Sequence, residues 1–184
     1  MKIRLIFFCL LMPFLASAAK HLEFKGIPIT GTISNFTSKL NAQGYTTNWE
    51  ISEEIGGGET RWFDGKYYGT DCEVLVFYAP ISKIVNGVNV IIERKSERSA
   101  LNLMTDIKDA LASKYNLDFE QSYEDGYPKW RVTVYDSNRY DATAIGSIYI
   151  SLAQNSSSGL YDIHVGFLDY ENYEKYQAEL QDNI

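Results

Sequence analysis

Side chains able to do acid–base or nucleophilic work are few. The sequence holds two histidines, His21 and His164, and a Ser-His-Asp relay needs one of them between a nucleophile and a carboxylate. His21 falls close to the start of the exported chain argued below. His164 stands between Ile163 and Val165. On a strand that buries those two, alternation turns the imidazole to the opposite, exposed face. There is no His-Glu-x-x-His helix, P-loop or nucleophile elbow. Gly56-Gly57-Gly58 precedes an extended stretch, whereas a phosphate cradle wants a helix N-terminus after its glycines. The triplet therefore reads as a hairpin loop.

Carboxylates are plentiful: Glu53, Glu54, Asp64, Asp71, Glu73, Glu120, Glu124 and Asp125. Two of them facing each other across a cleft would make a glycosidase pair, a three-dimensional condition that spacing does not test. A carbohydrate hydrolase thus stands as an alternative to the binding reading below. Asp136–Asp141 echoes a calcium loop but lacks the glycine and distal glutamate of an EF-hand. No metal site and no cofactor follow from these residues, and no residue is assigned a catalytic role.

Of the two cysteines, Cys9 lies in the leader described below, which leaves Cys72 without an intramolecular partner. Asp71 and Glu73 flank it, and neighbouring carboxylates raise a thiol pKa and oppose a catalytic thiolate. Its spacing to Val74 and Val76 makes it a small buried apolar residue.

Aromatic residues are abundant, with 14 Tyr, 9 Phe and 3 Trp. Period-2 alternation sorts the strands. Val74, Val76, Val88, Val90, Ile92, Ile148, Ile150, Ile163, Val165 and Phe167 share one face, under the helices. The second face carries Leu75, Phe77, Asn89, Ile91, Tyr149, Ser151 and His164, with Trp62 also turned outward. It is more apolar than solvent exposure requires, and such patches mark partner surfaces. Trp62, Leu75, Phe77, Ile91 and Tyr149 are therefore the candidate binding residues. Aromatic rings also stack on sugars, so a carbohydrate-binding module is the companion alternative. Cover by the N-terminal segment or by the other half of the chain would instead return this face to the core.

These residues need elements to hold them. Lys2 and Arg4, the apolar run Leu5–Leu15 and Ala16-Ser17-Ala18 compose a signal peptide over residues 1–18. The apolar run is too short to span a bilayer. Export would place the protein in the periplasm or outside the cell, with no transmembrane segment in the mature chain. Beyond the leader, Thr32 is an N-cap for a helix carrying Ile33, Phe36 and Leu40, closed by Gly44. Extended segments follow at Tyr45–Ile51, Thr60–Tyr68, Cys72–Ala79 and Val88–Glu93. The order then recurs. A helix spans Ser99–Tyr115, strands follow near Asp118–Tyr123, Lys129–Tyr135, Ser147–Ala153 and Tyr161–Leu168, and a last helix covers about Glu171–Gln181. Val88, Val90 and Ile92 match Ile163, Val165 and Phe167 at an offset of 75. The sequence thus predicts an α+β chain of two tandem helix–antiparallel-sheet repeats, 19–95 and 96–184, the second ending in the C-terminal helix.

That helix-and-four-strand repeat resembles the tandem modules of the beta-lactamase inhibitor protein and of the small lipoprotein of the outer-membrane assembly machine. Gly31-Thr32, Leu40, Gly44 and Tyr45 follow the outline in the first half, while the second half lacks both glycines. Phe24–Thr32, Asp71-Cys72 and the Tyr-rich closing helix resemble small secreted Bacteroidetes proteins of unknown function. The resemblance implies an envelope or extracellular location and no particular activity.

The 184 residues are 45% hydrophobic and 22% charged, enough for a sizeable core. A net charge of −7 argues against nucleic-acid binding, which draws on Lys and Arg. The reading that follows is a non-catalytic module binding an unidentified protein or peptide of the cell envelope.

Overall fold

The computed structural model describes residues 20–54, 58–115, 117–124, 126–137, 139–155 and 158–182. The leader 1–18, Gly56, Gly57, Asp125 and Asn138 lie outside the described residues.

The chain opens with a small hairpin, β1 (Glu23–Phe24) and β2 (Ile27–Pro28). Lys25 and Gly26 turn it at φ 53° and 78°, the paired positive φ that a two-residue hairpin of this hand demands. Helix α1 (Ile33–Ala42) starts where Thr32 Oγ1 accepts the Asn35 N–H at 3.4 Å. Its Ile33, Phe36 and Leu40 are buried on one stripe.

Strand β3 (Thr46–Asn48) then breaks into α2 (Trp49–Glu54), where the sequence predicted a strand to Ile51. The reason is local. Asn48 Oδ1 accepts the Ile51 N–H, and the Ser52 hydroxyl donates to the Asn48 carbonyl at 2.6 Å, so a side-chain cap starts a helical turn in place of a longer ladder. Strands β4 (Thr60–Tyr67), β5 (Thr70–Tyr78) and β6 (Val85–Lys95) complete the first half. The second half runs α3 (Glu97–Tyr115), β7 (Glu120–Glu124), β8 (Tyr127–Tyr135), β9 (Ala144–Gln154), β10 (Tyr161–Asp169) and α4 (Tyr170–Gln181).

The protein is α+β. Strands β3 to β10 form one antiparallel sheet in the order β3-β4-β5-β6-β10-β9-β8-β7. Each half therefore counts outward from a shared β6–β10 centre. Val90 pairs with Val165, Val88 with Phe167 and Ile92 with Ile163.

One sheet face holds the core. Val74, Val76, Val88, Val90, Ile148, Ile150, Ile163 and Val165 are buried there. Helices α1 and α3 cover this face: Arg61 reaches α1 through Thr37 Oγ1 at 3.2 Å, and Lys108 of α3 sits 5.3 Å above the Trp130 ring. Between them the β1–β2 hairpin inserts Phe24, whose ring stacks on Tyr67 at 5.9 Å and meets Phe167 edge-on at 5.5 Å. Each large side chain so buried contributes about 1.5–3 kcal/mol. Cys72 faces the same core, and burial first, then Asp71, push its thiol up to about 12. Among the described residues no helix is long and apolar enough to cross a membrane.

A candidate binding groove on the open sheet face

Among the described residues the opposite face is met by α2 at β4 and by α4 near one end of the strands, and the register lays it out in rows. At one end of the strands lie Thr60, Phe77, Gly87, Leu168, Ser147 and Thr133, each paired with the next across six strands. The next row is Trp62, Leu75, Asn89, Gly166, Tyr149 and Arg131. A third holds Asp64, Glu73, Ile91, His164 and Ser151. Trp62, Leu75, Phe77, Ile91 and Tyr149 therefore share one surface, on β4, β5, β6 and β9, as alternation requires.

All five are half-buried, so the free projection expected of them is tempered by their neighbours. The Trp62 N–H of the backbone donates to Ser52 Oγ of α2 at 2.9 Å, and the indole Nε1 is buried without a hydrogen-bond partner among the described residues. Tyr149 lies flat over Gly166, where an added Cβ would come within 1.9 Å of the ring, and its hydroxyl donates to Asn89 Oδ1 at 3.3 Å. His164 was expected to be exposed. It is on the predicted face but half-buried, with Nδ1 3.4 Å from the Asn89 amide nitrogen. Burial holds its pKa below the ordinary histidine value, against the charge of Asp162.

Helix α4 closes the first row. Its N-cap is Asp169, fully buried, whose carboxylate accepts the Leu22 and Asn172 N–H groups at 3.0 and 3.1 Å and pairs with His21 Nδ1 at 3.1 Å. Burial raises the Asp169 carboxyl, and those contacts pull it down only in part. His21 is thus tied to the fold, where the sequence placed it near a loose terminus. Farther along, the Tyr176 hydroxyl donates to Glu59 Oε2 at 2.9 Å, and Glu179 Oε2 accepts the Ile81 and Ser82 N–H groups at 3.1 and 3.2 Å. The helix is pinned near both ends.

Between α4 and the sheet runs a groove of about 710 Å³. Phe77, Tyr149 and Leu168 line it from the sheet, Tyr173 and Tyr176 from α4. Lys129 and Arg131 lie at its β8 end, Glu59 at its β4 end. Lys129 is paired with Glu124 at 2.6 Å. At the β8 end Tyr170 is half-buried. Burial raises its phenol, but donors from Ser147, Thr133 and Arg131, and the Arg131 charge, leave it below the ordinary tyrosine value.

Sequence reasoning found Phe77 and Tyr149 but missed Glu59, Asn86, Arg131, Tyr170 and Tyr176. Only the cross-strand register and the path of α4 bring those together, and neither is a local signal. The acids scatter. Glu53, Glu54, Asp64, Asp71, Glu120 and Glu124 are exposed, and Asp71 is held by Lys66 at 3.1 Å. Asp64 stands directly opposite Glu73. Among the described residues no group of three or more His, Cys, Asp or Glu is placed to hold a metal ion.

No family model, curated protein or solved structure matches this chain.

Proposed function

We propose that this chain is an exported, non-catalytic binding module that takes a protein or peptide of the cell envelope on its open sheet face. One observation carries the reading. Trp62, Leu75, Phe77, Ile91 and Tyr149 share one half-buried face, with Asn89, Glu73 and His164 among them, on a sheet whose other face is already filled. The core gains nothing from apolar residues there, and a partner would. The leader pattern supports export, and the net charge of −7 speaks against nucleic acid. The mirrored strand order supports reading the chain as tandem helix-and-four-strand repeats of the beta-lactamase-inhibitor-protein kind, related to small secreted Bacteroidetes proteins.

The alternative is a carbohydrate-active protein, favoured by Asp64 facing Glu73 across β4 and β5. Directly opposed side chains place their Cβ atoms about 4.5–5.5 Å apart, close enough for the two carboxyl groups to work on one bond.

The test is cross-linking capture by the purified protein from its native envelope, with Leu75→Ser/Ile91→Ser as the comparison. The binding reading expects a specific partner that the double variant loses while keeping its fold. Capture that ignores the double substitution, or glycan hydrolysis abolished by Glu73→Gln, would overturn it.

A further inference from the structure

We propose that the groove under α4 receives the last residues of an extended apolar peptide, with Arg131 and the neighbouring hydroxyls taking its free C-terminal carboxylate and Asn86 taking a backbone amide. This rests on the reading that the open face binds a protein or peptide, and it names the end of the partner that docks.

The groove's dimensions suit a peptide. Its lining runs from Glu59 and Thr60 at the start of β4 to Lys129 and Arg131 on β8. That crosses β4, β5, β6, β10, β9 and β8, or about 24 Å at ~4.8 Å per strand spacing. An extended chain advances about 3.3 Å per residue, so roughly seven residues fill it.

Asn86 gives the second argument. Phe77 pairs with Gly87 and Tyr78 with Val85, so Asn86 is the extra residue of a β-bulge. Bulges re-aim side chains, and they concentrate beside functional sites. Asn86 is 4% exposed and lines the groove. Its side-chain amide makes no hydrogen bond to any other described residue. Neither amide atom is among those sealed from solvent without a partner, so both are open to a ligand in the groove. One peptide group supplies both missing partners, since Asn offers a donor pair and an acceptor side by side.

The charge is polar along the groove. Arg131 and Ser147 line the groove at β8 and β9, Thr133 pairs with Ser147, and Glu120 stands opposite Arg131 on β7 without forming an ion pair with it. A carboxylate is a strong acceptor for these donors, and the guanidinium fork matches its geometry. At the far end, Glu59 offers an acceptor to an N–H of the bound chain. A fatty acid would satisfy Arg131 but leave Asn86 and Glu59 against hydrocarbon, a desolvation cost that a peptide avoids.

The experiment is fluorescence anisotropy on the purified protein, with a pool of fluorescein-labelled heptapeptides apolar at their last four positions. Each is prepared as the free acid and as the C-terminal carboxamide. The free acids are expected to bind, and amidation to weaken binding about tenfold, the loss of one charge-assisted hydrogen bond. Arg131→Gln, at an exposed position, should cause the same loss for the acids and little change for the amides. Asn86→Ala should weaken both forms alike, and Asn86→Gln, which keeps the amide, should recover part of the loss. Equal binding of acid and amide, indifference to Arg131→Gln, or no binding by any heptapeptide overturns the proposal. So does octanoate binding that the free acids do not compete away. These outcomes leave the wider open-face reading to be judged by the Leu75→Ser/Ile91→Ser capture experiment, which does not touch the groove's charged end.

Discussion

Val90 and Val165 face each other at the centre of the sheet, and the pairs on either side, Val88–Phe167 and Ile92–Ile163, match under exchange of the two strands. The same residues correspond at an offset of 75 in sequence. An antiparallel pair of matching strands has a local two-fold axis through its central pair. The joint between the halves is therefore a strand pairing, and each valine does the same work from its own side.

That symmetry predicts equal costs. Val90→Ala and Val165→Ala, both at fully buried positions, should each lower unfolding stability by about 2 kcal/mol. The two touch, so the double variant should depart from additivity by about 0.5 kcal/mol or more. Urea unfolding of the four proteins reads this. Costs differing by more than about threefold, beyond the spread that local context produces, would mean that the two halves are not packed alike.

How far the chain could be read in advance divides along the same line. Alternation placed Val74, Val76, Ile148 and Ile163 in the core and Cys72 with them, because a half-buried strand has a period of two and each side chain answers to its own neighbours. Thr32 and Gly44 bracketed α1 by capping chemistry alone. The groove was not legible. Asn86 owes its orientation to a bulge that exists only relative to β5, and Arg131 meets Tyr170 across a gap of 39 positions in the chain. His21 was misjudged for a similar reason. Its partner Asp169 is 148 residues away, and nothing beside His21 announces a buried carboxylate. The sequence reads Trp49–Ile51 as strand because its propensities are mixed, and the deciding contact is the side chain of Asn48.

The anchoring of α4 should depend on pH. The Ser82 hydroxyl, then the Ser82 and Ile81 N–H groups and Lys83, hold the Glu179 carboxyl below the ordinary glutamate value of 4.5. A depressed carboxyl contributes stability that is present above its unfolded pKa and is lost as pH falls through the folded one. Glu179→Gln should therefore loosen the C-terminal turn of α4 at pH 7, by under about 1 kcal/mol for a solvent-screened contact. Well below pH 4 it should make no difference. Amide hydrogen exchange at Ile81 and Ser82 reports the anchor directly. Protection that is equal in both proteins at pH 7 would show that the carboxylate does not hold the helix.

A last prediction concerns Gly166, the residue that lets Tyr149 lie against the sheet. A Cβ at this position would fall 1.9 Å from Tyr149 Cε1 and 2.1 Å from Cζ, far inside contact distance, so Gly166→Ala must displace the ring. The backbone has little room to yield, because Gly166 sits between Asn89 and Tyr149 on two paired strands. The half-buried Tyr149 can swing away, but its hydroxyl then leaves Asn89, which is 9% exposed. Overpacking and the lost hydrogen bond together should cost about 1–3 kcal/mol. Tyr149→Ala made in the Gly166→Ala background should then cost much less than Tyr149→Ala alone, since the clash and the packed ring vanish together. Tyr149 also lines the groove, so the displaced ring should weaken heptapeptide binding in Gly166→Ala, with recovery in the double variant. Strictly additive stabilities would mean that Tyr149 does not rest on Gly166, and binding unchanged in Gly166→Ala would place the peptide away from this ring.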